Sequence, residues 1–378
     1  MRNIITYAEE TLATFDRQPF NRVDSLILSW AAYLRLPEER LEAHDWRGVR
    51  LGDLFRAEDF GCLFQRHWDI PSSRKLLTAL AASPRFRDIR AMDYTQQMDA
   101  GLEKQFAAVT FQWEDRWGYI AFRGTDSTLV GWKEDFNMAF QYPVPSQEAA
   151  QRYLAQAAKH CKGELRVGGH SKGGNLAVYA AAHSAQEVQE RLVRVYSHDG
   201  PGFLAAVLQS GEFQAIASRL DKTLPQSSLV GMLLEQQENF RIVKSDRVGL
   251  WQHDPFSWQV EGNDFCLQEE LTPDAQYLDK TLNRWISSLT TAERERFVDS
   301  LYALVDAAHI ETLAQLRAQW QESVPAILKA ASQLDPDTKE FLFQTGMALV
   351  ALGVKNFPEL LEGPGEDPPA AVQVRKKG

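Results

Sequence analysis

Apolar positions recur at helical spacing over residues 4–36, with a break at Pro19-Phe20-Asn21 and a clear amphipathic run in Val23-Asp-Ser-Leu-Ile-Leu-Ser-Trp-Ala-Ala-Tyr-Leu34. This spacing predicts helices packed by one face on a core. Residues 51–64 and 76–82 are again helical in pattern, on either side of Trp68-Asp-Ile-Pro-Ser-Ser73, and residues 85–94 are expected to begin a sheet. The period then changes. Residues 104–112 and 117–123 are rich in aromatic and β-branched side chains around the turn Glu114-Asp115-Arg116, which predicts a β-hairpin. Beyond it a helix is expected over 147–161, a strand over 164–168, a helix over 173–185, a strand from Leu192 that stops at Gly200-Pro201, a further helical stretch, a strand over 240–246 and a strand-like run over 257–265. Strands alternating with helices imply an α/β fold with a mainly parallel sheet flanked by helices. Residues 274–361 are helical in pattern almost throughout, whereas 363–378 carry Pro and Gly with little to bury. The expected organisation is a core over residues 1–270 that includes the N-terminal helices, a helical extension over 271–362, and a disordered tail over 363–378.

Composition narrows the class of partner. The 378 residues carry a net charge of −10, and the one basic cluster, Arg375-Lys376-Lys377, is short. Nucleic-acid binding is therefore not expected, because it needs clustered Lys and Arg against phosphate. The three cysteines, Cys62, Cys161 and Cys266, have no Cys-x-x-Cys spacing, so neither a disulfide framework nor a cysteine zinc site is indicated. There is no His-Glu-x-x-His pattern, and no metal or cofactor is expected. The first ten residues place acids where a signal peptide would carry its apolar core, and no apolar stretch has the length of a membrane span. A cytoplasmic setting is the expectation.

The chemistry-bearing stretch is Leu165-Arg-Val-Gly-Gly-His-Ser-Lys-Gly-Gly-Asn-Leu-Ala-Val-Tyr-Ala180, a β-prone run joined to an alanine-rich helical run through glycines. Gly169-His170-Ser171-Lys172-Gly173 fits Gly-x-Ser-x-Gly, the strand-to-helix turn of α/β-hydrolases, in which small flanking residues let a strained serine stand clear of the sheet. A phosphate loop would need Lys-Ser/Thr after its last glycine, and Gly174 is followed by Asn175. Ser171 is thus the candidate nucleophile. The backbone N–H of Lys172, at a helix N-terminus, is a candidate oxyanion donor. The Lys172 side chain is expected to be solvated, or to point its ammonium at an anionic substrate.

A serine needs a base and a group that orients the base, and this fold takes them in the chain order Ser, acid, His. Of eight histidines, His44, His67 and His160 precede the serine, His170 lies inside the elbow, and His183 is about 18 Å along the helix at the α-helical rise. His198 precedes the better acid and His309 lies in the helical C-terminal region, which leaves His253 in the loop Trp251-Gln-His-Asp-Pro-Phe-Ser-Trp258. Two acids compete on equal terms. Asp246 ends the expected strand over 240–246, the usual place for the acid, but is only seven residues from His253. Asp199, in His198-Asp-Gly-Pro-Gly202, ends the preceding predicted strand and also suits a turn. Asp254 adjoins the histidine it would have to orient and is the weaker choice.

Tyr119-Ile-Ala-Phe-Arg-Gly-Thr-Asp-Ser127, continued by Gly131-Trp132 and Asp135, resembles the Phe-Arg-Gly-Thr…Trp…Asp signature of the class 3 (fungal-type) lipases. Taken with Gly-His-Ser-Lys-Gly-Gly-Asn, Asp-Gly-Pro-Gly-Phe and Gln-His-Asp-Pro-Phe-Ser-Trp, it is similar more closely to the bacterial Mbeg1-like (DUF2974) proteins, over roughly residues 1–330. The resemblance implies an α/β-hydrolase fold and assigns a second oxyanion donor to Thr125, with Gly124 letting the chain turn close to the site. Arg123, Trp132 and Asp135 are expected to hold that loop through an Arg–carboxylate pair and a buried indole. The functional expectation is a serine hydrolase that cleaves carboxylic esters, small or lipid, through an acyl-enzyme. The alternative is a catalytically inactive hydrolase fold that serves as a binding or scaffold module, with a protein partner on the C-terminal helices.

Overall fold

The computed structural model describes residues 2–306 apart from 38–40, 42–45, 66–68, 100, 126–128, 235–238, 274, 277–282, 284 and 287–288, together with scattered residues between 325 and 344. The chain divides into two compact units, Met1–Ser332 and Gln333–Gly378. In the second, residues 336–340 and 342–344 are helical. The expected helical extension contributes the helix Thr291–Asp306 and otherwise lies largely outside the described residues, as does the whole expected tail.

The N-terminal part supplies α1 (Ile4–Glu10), α2 (Arg22–Ala31), β1 (Val49–Arg50), α3 (Phe60–Leu63) and α4 (Ile70–Ala82). The break at Pro19-Phe20-Asn21 is a capping box. The Asn21 side chain accepts from the N–H groups of Val23 and Asp24, and the Asp24 carboxylate accepts from the Asn21 N–H at 2.9 Å. Almost all of α2 is buried against the sheet, and its polar positions are satisfied there. Ser25 and Ser29 bond the Tyr119 hydroxyl at 2.8 and 2.7 Å, and Asp24 pairs at 2.6 Å with Arg85, itself wholly buried.

Among the described residues, seven long strands and two short ones follow the order β1-β2-β3-β4-β5-β6-β7-β8-β11 in one sheet. The antiparallel side is β1 with β2 (Arg90–Asp99), β3 (Lys104–Trp113) and β4 (Trp117–Phe122), the last two forming the predicted hairpin around Glu114. From β4 onward the pairs are parallel: β5 (Glu164–His170), β6 (Leu192–His198), β7 (Leu220–Pro225) and β8 (Phe240–Val243). The ribbon of β9 (Val260–Glu261) and β10 (Asp264–Phe265) precedes β11 (Leu267–Gln268), which closes the edge antiparallel to β8. The connecting helices are α5 (Leu129–Asn137), α6 (Pro145–His160), α7 (Lys172–Ala182), α8 (Gln186–Arg191), α9 (Ala205–Leu208) and α10 (Gly211–Ala217).

Side-chain alternation along β4 separates two cores. Tyr119 and Ala121 join the cluster built on α1, α2 and α4, whereas Ile120 and Phe122 join that of α6, α7 and α10. Helices therefore cover both faces, and the segments leaving the carboxyl ends of β4, β5 and β6 carry Thr125, Ser171 and Asp199 to one rim, the rim where open parallel sheets present their chemistry.

Two expectations are corrected. Leu220-Asp-Lys-Thr-Leu-Pro225, expected to belong to a helical stretch, is β7: Asp221, Lys222 and Thr223 are buried in the parallel sheet, so its polar composition hid it. The next strand stops at Val243 rather than 246, and Ser245 adds only a single bridge to Trp258.

Candidate active site

The centre of the site is a tight turn between β5 and α7. Ser171 has φ 60° and ψ −136°, a conformation that costs of order 1–3 kcal/mol for a residue with a side chain. Its backbone is held on both sides, with the N–H donating to His198 O and the carbonyl accepting from Gly174 N–H, each at 2.9 Å. The flanking glycines are required by space. A Cβ at Gly173 would lie 2.1 Å from Phe122 O, and one at Gly169 would lie 2.2 Å from the Gly173 carbonyl carbon. Gly124 is equally constrained, since its Cβ would lie 2.9 Å from that of Ser171, so the chain leaving β4 passes directly beside Ser171. The Ser171 side chain is nearly buried, and its hydroxyl makes no hydrogen bond among the described residues.

His253 ends a short 3₁₀ turn, Gly249–His253. Its Nδ1 meets Asp199 Oδ2 at 2.6 Å. A carboxylate can only accept, so Nδ1 carries the proton and Nε2 is left as the basic nitrogen. Asp199 is fully buried just past the end of β6, and its other oxygen accepts from Ser228 Oγ and, at 3.1 Å, from Gly231 N–H. Three donors thus hold the carboxylate in one orientation.

The place beside His253 therefore belongs to Asp199 and not to Asp246. With β7 inserted, the strand that precedes Asp246 lies two positions beyond β6, and Asp246 is an exposed residue whose backbone N–H bonds Ser257 O. Asp254 is occupied elsewhere, pairing with Arg247 at 2.6 Å and capping Phe256 N–H at 3.0 Å.

His170, set aside in the sequence because it lies inside the elbow, organises the histidine. Its Nε2 meets the His253 carbonyl oxygen at 2.8 Å and the two rings lie 4.5 Å apart. A carbonyl only accepts, so Nε2 carries the hydrogen and Nδ1 faces the Tyr33 hydroxyl at 3.2 Å. Burial, reinforced by the neighbouring His253, pushes His170 well below the usual histidine range, so it stays neutral.

On the other side of Ser171, the Thr125 hydroxyl donates to Asp135 Oδ2 at 2.6 Å. Burial pushes the Asp135 carboxyl up to about 6, against the pull of Lys172 and the Thr125 hydrogen bond. Among the described residues the expected Arg123–carboxylate pair is not formed, and Asp135 is turned toward Thr125 instead. Arg123 instead reaches Gln96 at 3.5 Å and lies beside Tyr94, with Nε and Nη2 buried and without hydrogen bonds among the described residues. The Trp132 side chain lies outside the described residues.

Lys172 is neither solvated nor turned toward a substrate. It is completely buried, and its ammonium donates to Glu134 Oε2 and to Gln105 O at 3.0 Å each. Glu134, Ser228, Gly231 and His170 escaped sequence reasoning. Only Glu134 had a local signal, its place next to Asp135 in the Trp-Lys-Glu-Asp segment.

A parallel sheet carrying a strained serine between strand and helix, with an Asp–His pair beside it, is an α/β-hydrolase type of architecture. The chain belongs to the Mbeg1-like family, whose model matches residues 80–303, more than half of its length. No curated protein matches it. Among solved structures it is similar to a fungal lipase–inhibitor complex presented as a model for interfacial activation in lipases, with 17% identity, 58% of this chain and 75% of that chain covered, and a TM-score of 0.35. It is similar also to M37 lipase, with 14% identity, 55% and 68% covered and a TM-score of 0.35. A third is the native Rhizomucor miehei lipase propeptide complex, with 17% identity, 50% and 66% covered and a TM-score of 0.34.

Proposed function

We propose that this protein is a serine hydrolase that cleaves carboxylic esters, small or lipid, with Ser171 as nucleophile, His253 as base and Asp199 as the acid that orients it. The observation that carries the reading is the His253 Nδ1–Asp199 Oδ2 bond at 2.6 Å, set beside a serine held at positive φ. In this mechanism Ser171 Oγ attacks the ester carbonyl carbon while its proton passes to His253 Nε2, and Asp199 stabilises the resulting imidazolium. The N–H groups of Lys172 and Thr125 receive the oxyanion. The Thr125 hydroxyl hydrogen is already engaged by Asp135, which leaves the backbone N–H as the donor at that residue. Collapse of the intermediate expels the alcohol, which takes the proton from Nε2. Water, deprotonated by the same nitrogen, then releases the acid and restores Ser171.

The hydroxyl of Ser171 makes no hydrogen bond among the described residues, and in free hydrolases its contact with the base is often long and tightens around substrate. The same lack favours the alternative, an inactive fold used for binding. One experiment decides between them. Purified protein is exposed to a fluorophosphonate probe and to p-nitrophenyl esters of increasing acyl length, beside Ser171→Ala. Labelling and turnover are expected in the wild type and absent in the variant. Equal behaviour of the two proteins overturns the hydrolase reading. A cytoplasmic setting belongs to the same proposal and is supported by the three free cysteines. Among the described residues no helix is long and apolar enough to cross a membrane.

A further inference from the structure

A lysine wholly buried one residue from a nucleophile calls for an explanation, because desolvating an ammonium is unfavourable even when it is paired. A buried ion pair usually contributes no more stability than apolar side chains of the same volume. Lys172 and Glu134 are both fully buried. The Glu134 carboxylate is fully used. Oε2 accepts from Lys172 Nζ and from Gln105 N–H, each at 3.0 Å, and Oε1 accepts from Ser146 N–H at 2.9 Å. It therefore ties the elbow to the start of β3 and the start of α6. The same ammonium lies 3.7 Å from Asp135 Oδ1, and the other oxygen of Asp135 holds the Thr125 hydroxyl at 2.6 Å. The side chains of Lys172 and Thr125, the two residues whose N–H groups would face the oxyanion, thus both end on consecutive residues of α5.

We propose that Lys172 and Glu134 are positioning residues: with Asp135 they form a clamp on α5 that sets the separation between the Lys172 and Thr125 N–H groups. The inference rests on the serine-hydrolase reading of Ser171. Neither side chain touches the substrate. They act through the backbone of the elbow, where a shift of about 1 Å lowers turnover on the order of 100-fold. The ammonium also acts on Asp135, which is faced by Lys172, Glu134, His253 and the Thr125 hydroxyl. Lys172 and His253 favour its ionised form and Glu134 opposes it.

The test compares Lys172→Met, Glu134→Gln and the double variant with wild type, using p-nitrophenyl butyrate. Each rate is expressed per active site titrated with fluorophosphonate, and each melting temperature is measured. Each single variant strands one buried charge and should melt lower. The double variant removes both charges and should recover most of the melting temperature, yet keep a kcat about 10- to 100-fold below wild type with KM within about twofold. The acidic limb of its kcat–pH profile should lie higher than that of wild type, because the pull of the lost ammonium on Asp135 outweighs the opposing push of the lost Glu134 carboxylate. A double variant with wild-type kcat and an unmoved acidic limb overturns the clamp alone. If the double variant folds poorly, Glu134→Gln carries the same test at equal titrated sites, and a kcat equal to wild type again overturns it. A wild-type protein that is neither labelled nor active overturns the hydrolase reading, and the clamp with it.

Discussion

The two halves of the candidate site are built in opposite ways. The nucleophile half is a continuous piece of chain, β5–Ser171–α7, locked by glycines whose neighbours leave no room for a Cβ. The acid–base half is assembled from residues distant in sequence. Asp199 follows β6, Ser228 and Gly231 follow β7, His253 follows β8, and His170 reaches over from the elbow to hold the His253 carbonyl. The first half depends on backbone geometry and the second on side-chain hydrogen bonds. Disturbing the first should damage the fold, whereas disturbing the second should damage chemistry in an intact fold.

The largest effect is expected at Asp199. Asn in its place can still accept from Ser228 and Gly231 but turns an N–H toward His253 Nδ1 and stabilises the wrong tautomer. Asp199→Asn should therefore lower kcat on the order of 10⁴-fold with an unchanged circular dichroism spectrum. Asp246→Asn should stay within about twofold of wild type, and a comparable loss in both variants would mean that the exposed acid takes part after all. Next comes Gly173→Ala, whose added methyl must displace the Phe122 carbonyl. It should destabilise by about 3 kcal/mol in urea unfolding, and an unchanged midpoint would show that the elbow is not the rigid half.

The smallest effect concerns pH. The Asp135 carboxyl titrates at about 6 in the fold, above its ordinary 3.8. Its protonated form is thus favoured by folding, and the stabilising contribution is complete below about pH 4 and lost as pH rises through 6. Asp135→Asn removes this dependence. The wild type should gain on the order of 2 kcal/mol relative to the variant between pH 7 and pH 4, measured as the difference in unfolding free energy. A pH-independent difference would place Asp135 in a more solvated setting.

Much of this molecule was legible in its linear order. The helical period of residues 23–34, the aromatic hairpin around Glu114 and the later alternation of strand and helix predict an α/β sheet with helices on its faces, and that is the fold. β7 escaped notice because Asp221, Lys222 and Thr223 imitate a surface segment. They are buried only because β6 and β8 flank them, and a pattern based on burial cannot foresee burial imposed by neighbours. That omission kept Asp246 level with Asp199 as candidate acid, since with one strand missing Asp246 occupies the usual position for it.

Sequence by itself determined the turn at Ser171, because small residues at 169, 173 and 174 between a β-prone and a helical run permit few other backbone paths. It also narrowed the candidate base to His253. Only the tertiary structure decided which carboxylate meets that histidine, that His170 holds its carbonyl, and that Lys172 turns inward to Glu134. Each of these depends on the distance between groups whose positions are set by strand order and packing across separations of 54, 83 and 38 positions in the chain. A local motif carries its own geometry, whereas a long-range hydrogen bond exists only once the sheet has brought its two ends together.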